Sequence, residues 1–161
     1  MVDSLSHLTA KDIMTTEVLT AYEGWSVKRL SDFLVKHRIS GVPVISSDHS
    51  LVGVVSSSDI IHFDSQSQQQ KKEMVRDVYI EFSGMKYSES DVEALAKKAD
   101  ENCTVNQVMT PHVIKVEETA EVNDVIKLML KSKIHRVFVT RENVMVGVLS
   151  TSNILQALVD A

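Results

Sequence analysis

The sequence has few of the residues on which several large classes of protein depend. Among 161 residues there are one cysteine, two prolines and five glycines. A single cysteine, Cys103, excludes a disulfide framework and a cysteine-based zinc site. Five glycines are too few for a glycine-rich phosphate cradle. We also find no nucleophile elbow and no pair of acidic residues that would face each other across a cleft. We therefore expect no catalytic residues and no enzyme activity.

Long hydrophobic runs and an excess of positive charge are also missing. No apolar run approaches the ~20 residues that span a bilayer, and the first residues lack the apolar segment of a signal peptide. The formal net charge of −5 argues against nucleic acid as the main partner. We therefore expect a cytoplasmic protein with no membrane span. The chain is long enough, with 43% hydrophobic residues, to bury a core.

An internal repeat organises the chain. Residues 9–15 align with residues 104–110, and residues 53–61 (GVVSSSDII) align with residues 147–155 (GVLSTSNIL). The spacing between the copies shortens by one residue between two predicted strands, where deletions are tolerated. The alignment predicts a lead-in at 1–8, a first repeat at 9–63, a linker at 64–103 and a second repeat at 104–161.

Each copy is typical of a strand–helix–strand–strand–helix unit, so the predicted fold class is α+β. Short first strands are expected at 17–20 and 112–116, and Ser26 is expected to cap an amphipathic helix. One such unit is too small to cover both faces of its sheet, so we expect the two pseudo-symmetric copies to pack through their sheets. The linker is polar at 64–72 and then helical, with apolar Met74, Val75, Val78, Tyr79 and Phe82 at helix-like intervals.

Two turns at the starts of helices, 56–59 and 150–153, are the main candidates for function. Ser56 and Asp59 place a hydroxyl and a carboxylate at a helix N-terminus, which attracts anions, and a carboxylate can accept hydrogen bonds from both hydroxyls of a ribose. The same spacing is also that of a capping box, which stabilises any helix. Spacing alone leaves both interpretations open. At Ser150 and Asn153 the acid is replaced by an amide, which favours a plain cap.

The ordered set of motifs resembles a tandem pair of CBS domains, the cystathionine β-synthase-type repeat, often called a Bateman module. The matching segments of the first copy are residues 12–15, 39–44 and 52–59. Those of the second copy are residues 108–110, 134–139 and 146–153. Both repeats are covered, and only the linker is left outside the resemblance.

The resemblance implies a cytosolic regulatory module for an adenosine-containing ligand: AMP, ADP, ATP or S-adenosylmethionine. Such modules bind the ligand in clefts between the two repeats and transmit occupancy by a change of inter-repeat or dimer geometry. The resemblance also implies a homodimer and a regulated protein partner, with no required cofactor and no metal. The alternative is a ligand-independent dimerisation or docking module that regulates a partner enzyme or transporter.

The resemblance further assigns roles to individual residues. Asp59 would take the ribose and Ser56 would lie near the phosphate, while His135 and Arg136 would reach phosphates of a ligand whose ribose is held by the other repeat. One competent site is therefore expected, and the turn with Asn153 would form a weaker one.

Two pairs of neighbouring residues resemble the edge that contacts adenine: Val42 and Pro43 in the first copy, and Val137 and Phe138 in the second. Ordinary core packing explains these four residues equally well. For the cationic pair, the alternative is that the His135 ring packs against the sheet and the Arg136 side chain is solvated.

Overall fold

The computed structural model describes residues 3–83 and 87–161, and the side chains of residues 80–83, including Phe82, lie outside what it describes. The fold is α+β, as predicted. After a short 3-10 helix at Asp3–Leu5, the elements in chain order are α1 (Ala10–Ile13), β1 (Ala21–Tyr22), α2 (Val27–His37), β2 (Gly41–Ile45), β3 (Leu51–Ser56), α3 (Ser57–Asp64), α4 (Gln68–Ser83), α5 (Glu89–Lys97), α6 (Ala99–Asn102), α7 (Val105–Val108), β4 (Lys115–Glu117), α8 (Val122–Ser132), β5 (Arg136–Arg141), β6 (Val144–Ser150) and α9 (Thr151–Asp160).

The strands form two sheets of the same design. Their orders are β1-β2-β3 and β4-β5-β6, and in each sheet the first strand runs parallel to the second. The β5–β6 pair is antiparallel. The order strand–helix–strand–strand–helix is therefore confirmed in both copies. Among the described residues, no helix is both long enough and apolar enough to cross a membrane.

The first strand of each copy differs from the prediction. Strand β1 occupies Ala21–Tyr22 rather than 17–20, and β4 begins only at Lys115. Pairing with β2 places Ala21 opposite Val44, and both residues are fully buried, whereas Leu19 is 43% exposed. Burial against the neighbouring strand, rather than the local run of β-favouring residues, sets where β1 forms.

The described residues group into two compact units that do not coincide with the repeats. The first unit contains the chain up to Leu19, Ser47–Leu51 and His112–Ala161, and the second contains Thr20–Ser46 and Val52–Pro111. Helix α1, which opens the first repeat, thus belongs to the first unit, which contains the sheet of the second repeat. Helix α7, which opens the second repeat, belongs to the second unit, which contains the sheet of the first repeat. Ala10 of α1 is fully buried with Val137 and Val139, and Val105 of α7 is fully buried with Val42.

The linker helices α4, α5 and α6 belong to the second unit. Val75, Ala96 and Ala99 are buried with Phe63 of α3 and with Cys103. The linker helices therefore bury Phe63 near the C-terminus of α3. The N-terminus of the same helix lies at the turn that carries Asp59.

Candidate functional site

The turn at 56–59 joins the last strand of the second unit's sheet to α3. The backbone N–H of Ser56 donates to Oδ2 of Asp59 at 2.8 Å, and the Ser56 hydroxyl donates to the same oxygen at 3.2 Å. The N–H of Ser57 donates to the carbonyl of Ser40 at 2.8 Å, which ties the turn to the start of β2. The capping box expected from the sequence is therefore present.

The other carboxylate oxygen of Asp59 is not used in this cap. Within the described parts of the chain, Oδ1 of Asp59 has no hydrogen-bond partner, and the residue is partly exposed. A carboxylate oxygen offers two lone pairs. Capping and ligand binding are therefore compatible at Asp59, because one oxygen holds the helix and the other is able to accept two hydroxyl groups.

The equivalent turn in the first unit is arranged differently. Oδ1 of Asn153 accepts hydrogen bonds from the N–H and from the hydroxyl of Ser150, both at 2.8 Å. The side-chain amide nitrogen of Asn153 donates to the Thr15 hydroxyl at 3.1 Å. Both polar side-chain atoms of Asn153 are thus engaged within the unit. The plain cap favoured by the sequence is present, with an additional contact to Thr15.

The cationic pair lies next to this second turn. The His135 carbonyl accepts a hydrogen bond from the Thr151 N–H at 2.9 Å, and Arg136, the first residue of β5, pairs with Ser150 of β6. Both His135 and Arg136 are exposed. No ion pair of Arg136 occurs among residues 3–79 and 87–161. Two side chains able to bind an anion therefore lie on the surface here.

The residues compared with an adenine-contacting edge lie mostly in the cores. Val42 is 3% exposed and Val137 is fully buried, and Pro43 is also buried, while Phe138 is partly exposed. The side chains of Val42 and Val137 pack in the cores of their own units. Of these four side chains, that of Phe138 is the most accessible to a ligand.

Thr15 is a residue that the sequence reasoning did not assign to the site. Its N–H donates to the Val148 carbonyl at 2.8 Å and its carbonyl accepts from the Val148 N–H at 2.9 Å, so its position beside β6 is fixed. Thr15 aligns with Thr110 of the second copy, and this recurrence was the available signal. Its contact with Asn153 spans 138 positions, which local patterns do not reveal.

Metal binding has no support in the described residues. In the parts of the chain that the structure describes, no group of three or more histidine, cysteine, aspartate or glutamate side chains is able to hold a metal ion.

Comparison with known proteins identifies the family. The family model described as "CBS domain" matches residues 10–65 and 105–160. The chain belongs to the CBS domain family. It is 31% identical over 133 residues to the chloroplastic CBS domain-containing protein CBSX1 of Arabidopsis thaliana, a match that covers 82% of this chain. The same match covers 55% of that relative, and the match to CBSX2 covers the same share of its length, so the chain spans about half the length of these two curated relatives.

Solved CBS structures share the fold. The structure of CBSX2 in complex with AMP, a protein of Arabidopsis thaliana, superposes with a TM-score of 0.64 at 24% identity, covering 94% of this chain and 96% of that one. The CBS domain pair of protein MJ0100, in complex with 5′-methylthioadenosine and S-adenosyl-L-methionine, gives a TM-score of 0.58 at 23% identity, covering 95% and 97%. Both turns lie inside the matched residues, so Asp59 and Asn153 occupy equivalent places in two CBS domains of one chain.

Proposed function

We propose that this CBS pair is a regulatory module that binds an adenosine-containing nucleotide through Asp59. The observation that carries the proposal is the unused Oδ1 of Asp59, since the other oxygen of the same carboxylate already caps α3. A negatively charged acceptor makes stronger hydrogen bonds to hydroxyl groups than a neutral one. The vicinal hydroxyls of a ribose are a pair of donors that one such oxygen can accept.

The ligand class is supported by the solved relatives. CBSX2 has been crystallised with AMP, and the CBS pair of MJ0100 with two adenosine derivatives that contain sulfur. We propose AMP, ADP or ATP as the ligand of this chain, with S-adenosylmethionine as a further candidate. The module would act in the cytoplasm, without catalysis of its own, by passing its occupancy to a regulated protein partner.

The phosphate contacts are proposed from charge and from the resemblance to CBS pairs. Ser56 lies at the N-terminus of α3, where the helix dipole favours an anion. His135 and Arg136 are exposed residues, and both side chains can donate hydrogen bonds. Arg136 is suited to this role, because a guanidinium can donate two parallel hydrogen bonds to a phosphate.

The test is calorimetric titration with AMP, ADP, ATP, S-adenosylmethionine and GTP. We expect one adenosine-containing ligand to bind with a stoichiometry of one per chain. Asp59→Asn keeps an oxygen for the cap but loses the charge and the second acceptor. Since hydrogen bonds to charged groups contribute about 1.5–3 kcal/mol, this variant should weaken binding at least ~tenfold. An unchanged affinity in Asp59→Asn, or no binding to the wild type at millimolar ligand, would contradict the proposal.

The same titration separates ribose from phosphate recognition. Arg136→Gln should weaken AMP binding and leave adenosine binding nearly unchanged, because adenosine has no phosphate. Equal losses for the two ligands would show that Arg136 does not act on the phosphate.

A second candidate function is dimerisation, with a second copy of this chain as the partner. In the second unit, Val35 of α2 is 77% exposed and Ile61 of α3 is 69% exposed. Together with Leu34, Ile39 and Ile60 they line a groove of about 390 Å³. In the first unit the aligned residues are also apolar and exposed, Leu130 at 74% and Leu155 at 58%. A patch that recurs at aligned positions fits a symmetric contact between identical chains.

Light scattering after gel filtration tests this candidate. We expect a dimer that dissociates in the double variant Val35→Ser/Ile61→Ser and persists in Lys36→Ser, which changes an exposed polar neighbour on the same helix. A monomeric wild type would exclude homodimerisation. A dimer that is unaffected by the double variant would place the contact elsewhere.

A further inference from the structure

We propose that the second unit has a further binding site, a cavity beside Glu23 that takes a guanidinium group. The cavity encloses about 580 Å³, and small-molecule sites in proteins enclose about 300–1,000 Å³. Its walls come from the turn after β1, from the linker helix α4 and from the start of α7. All of the residues that line it belong to the second unit.

This cavity is separate from the turn that carries Asp59. The N–H of Ser57, in that turn, donates to the carbonyl of Ser40, just before β2 begins. The N–H of Glu23 donates to the carbonyl of Ile45, the last residue of β2. The two sites therefore lie at opposite ends of the same strand, and the proposal does not depend on nucleotide binding at Asp59.

The second repeat shows which group a glutamate at this position binds. Glu118 aligns with Glu23, and its carboxylate accepts two hydrogen bonds from the Arg141 guanidinium, at 2.6 Å from Nε and 3.0 Å from a terminal nitrogen. The register of the parallel strands places Ser46 of the first repeat at the position of Arg141. Serine carries no charge, so the guanidinium that neutralises Glu118 has no counterpart at the aligned position beside Glu23.

The free polar atoms of the cavity are acceptors. The Glu23 carboxylate accepts one hydrogen bond, from Nδ2 of Asn106 to Oε2 at 3.3 Å. Within residues 3–79 and 87–161, neither Glu23 nor Asp77 forms an ion pair, and Oδ1 of Asn106 accepts no hydrogen bond. A guanidinium has five N–H donors and no acceptor. It therefore matches a site whose unused atoms are carboxylate and amide oxygens.

Gln107 holds the linker helix beside the cavity. Its Oε1 accepts from the Thr104 N–H at 3.1 Å, which caps α7, and its Nε2 donates to the Met74 carbonyl of α4 at 2.8 Å. Asp77 follows Met74 by three residues and thus lies on the same face of α4. The aligned residue of the first repeat, Asp12, caps its helix with a carboxylate and has no amide nitrogen to donate. The linker therefore supplies the cavity with a second carboxylate, and Gln107 fixes its position.

The test is a titration of n-butylguanidine into the isotope-labelled full chain, followed by NMR. n-Butylurea has nearly the same shape and no charge. We expect n-butylguanidine to shift the side-chain amide signals of Asn106 and Gln107 until they saturate, and n-butylurea to leave them unchanged. Glu23→Gln should weaken the binding at least ~tenfold, because hydrogen bonds to charged groups are the stronger ones. Asp77→Asn, a change at an exposed residue, should also weaken it.

Two further variants use the repeat as a control. Glu118→Gln removes the same charge from the aligned position, but that glutamate is already paired with Arg141, so the affinity for n-butylguanidine should not change. Ser46→Arg places a guanidinium where the second repeat has one. It should abolish binding of the probe, because the new side chain occupies the Glu23 carboxylate. Circular dichroism checks that each variant is folded.

Two sources can supply the guanidinium, a free small molecule or an arginine side chain of a partner protein. Agmatine represents the first source and arginine capped as its N-acetyl methylamide represents the second. Both should shift the same two amide signals, and the tighter binder identifies the source. A response to neither compound would overturn the proposal.

The remaining outcomes also decide the proposal. Equal affinity for n-butylguanidine in the wild type and in folded Glu23→Gln would overturn it, and so would equal shifts with n-butylurea. A loss in Glu118→Gln as large as that in Glu23→Gln would show an effect of net charge alone, which also overturns it. If Glu23→Gln does not fold, unchanged binding in both Asp77→Asn and Ser46→Arg would overturn it instead.

Discussion

Gly53 faces Met109 at a distance that leaves no room for a side chain. A Cβ on Gly53 would lie 2.7 Å from the Met109 sulfur and 2.8 Å from the Thr110 carbonyl oxygen. The sulfur is at the end of a flexible side chain, but the carbonyl is fixed by its hydrogen bond with Val54. Glycine is therefore required here by a close approach of two backbone segments, rather than by a turn.

The first prediction concerns this close approach. Gly53→Ala should destabilise the fold by about 1–3 kcal/mol, because a side chain forced into a packed site displaces its neighbours. Gly147→Ala should cost a similar amount, since its Cβ would lie 2.8 Å from the Thr15 carbonyl. Urea unfolding measures both. Gly24→Ala is the control, with no atom within 4 Å of the added Cβ, and a loss of stability there would show that the effect is not steric.

The second prediction separates the two roles of Asp59. Asp59→Ala removes the oxygen that accepts from Ser56 and should cost about 0.5–2 kcal/mol of stability, as lost helix caps do. Asp59→Asn keeps an accepting oxygen and should unfold at nearly the wild-type temperature. Differential scanning calorimetry without ligand makes the comparison. If Asp59→Asn is as unstable as Asp59→Ala, the loss of affinity in Asp59→Asn could not be assigned to ligand contacts.

The third prediction concerns the buried thiol of Cys103. Burial raises its pKa from an ordinary 9.0 to about 11, so above pH 9 the unfolded chain loses a proton that the folded chain keeps. Stability should therefore be unaffected below pH 9 and fall by roughly 2–3 kcal/mol as the pH rises to about 11. Unfolding in urea at pH 8 and at pH 10.5 measures how the free energy of unfolding changes with pH. Cys103→Ala should not show this loss of stability above pH 9. If both proteins lose the same free energy of unfolding between the two pH values, the loss does not come from Cys103.

The fourth prediction concerns the end of α8. Lys133 has a φ of 55°, the left-handed conformation, with its N–H donating to the last carbonyls of the helix. Lys133→Gly should stabilise the fold by about 0.5 kcal/mol, because relief of the left-handed strain exceeds the added entropy of the unfolded chain. Lys131→Gly, within the same helix, should instead destabilise it by about 1 kcal/mol. Urea midpoints of the two variants should thus move in opposite directions.

The parts of the fold that sequence reasoning predicted are those set by neighbours along the chain. The capping boxes at Ser56 and Ser150 were predictable because their bonds connect residues three apart. Ser26 was predictable as a cap for the same reason, and it accepts from the Arg29 N–H at 3.0 Å. Repetition of these local signals in two copies was enough to indicate the CBS family.

The parts that could not be predicted depend on contacts between distant segments. Strand β1 is two residues long and is placed by pairing with β2, so its own sequence does not set its position. The engaged nitrogen of Asn153 follows from where Thr15 lies. Sequence reasoning identified the change from acid to amide, but not that the amide would be tied to Thr15.

The exchange of opening helices has a consequence for how the chain can be divided. Ala10 packs in the core with residues of β5, and Val105 packs in the core with residues of β2. A cut in the linker would therefore separate each sheet from the short helix that packs in its core. We expect neither half to be stable alone and the two halves to fold when mixed. The repeated segment of sequence is therefore not the unit that folds. An exchange of single repeats between relatives should succeed only if each sheet is transferred together with the short helix that packs in its core.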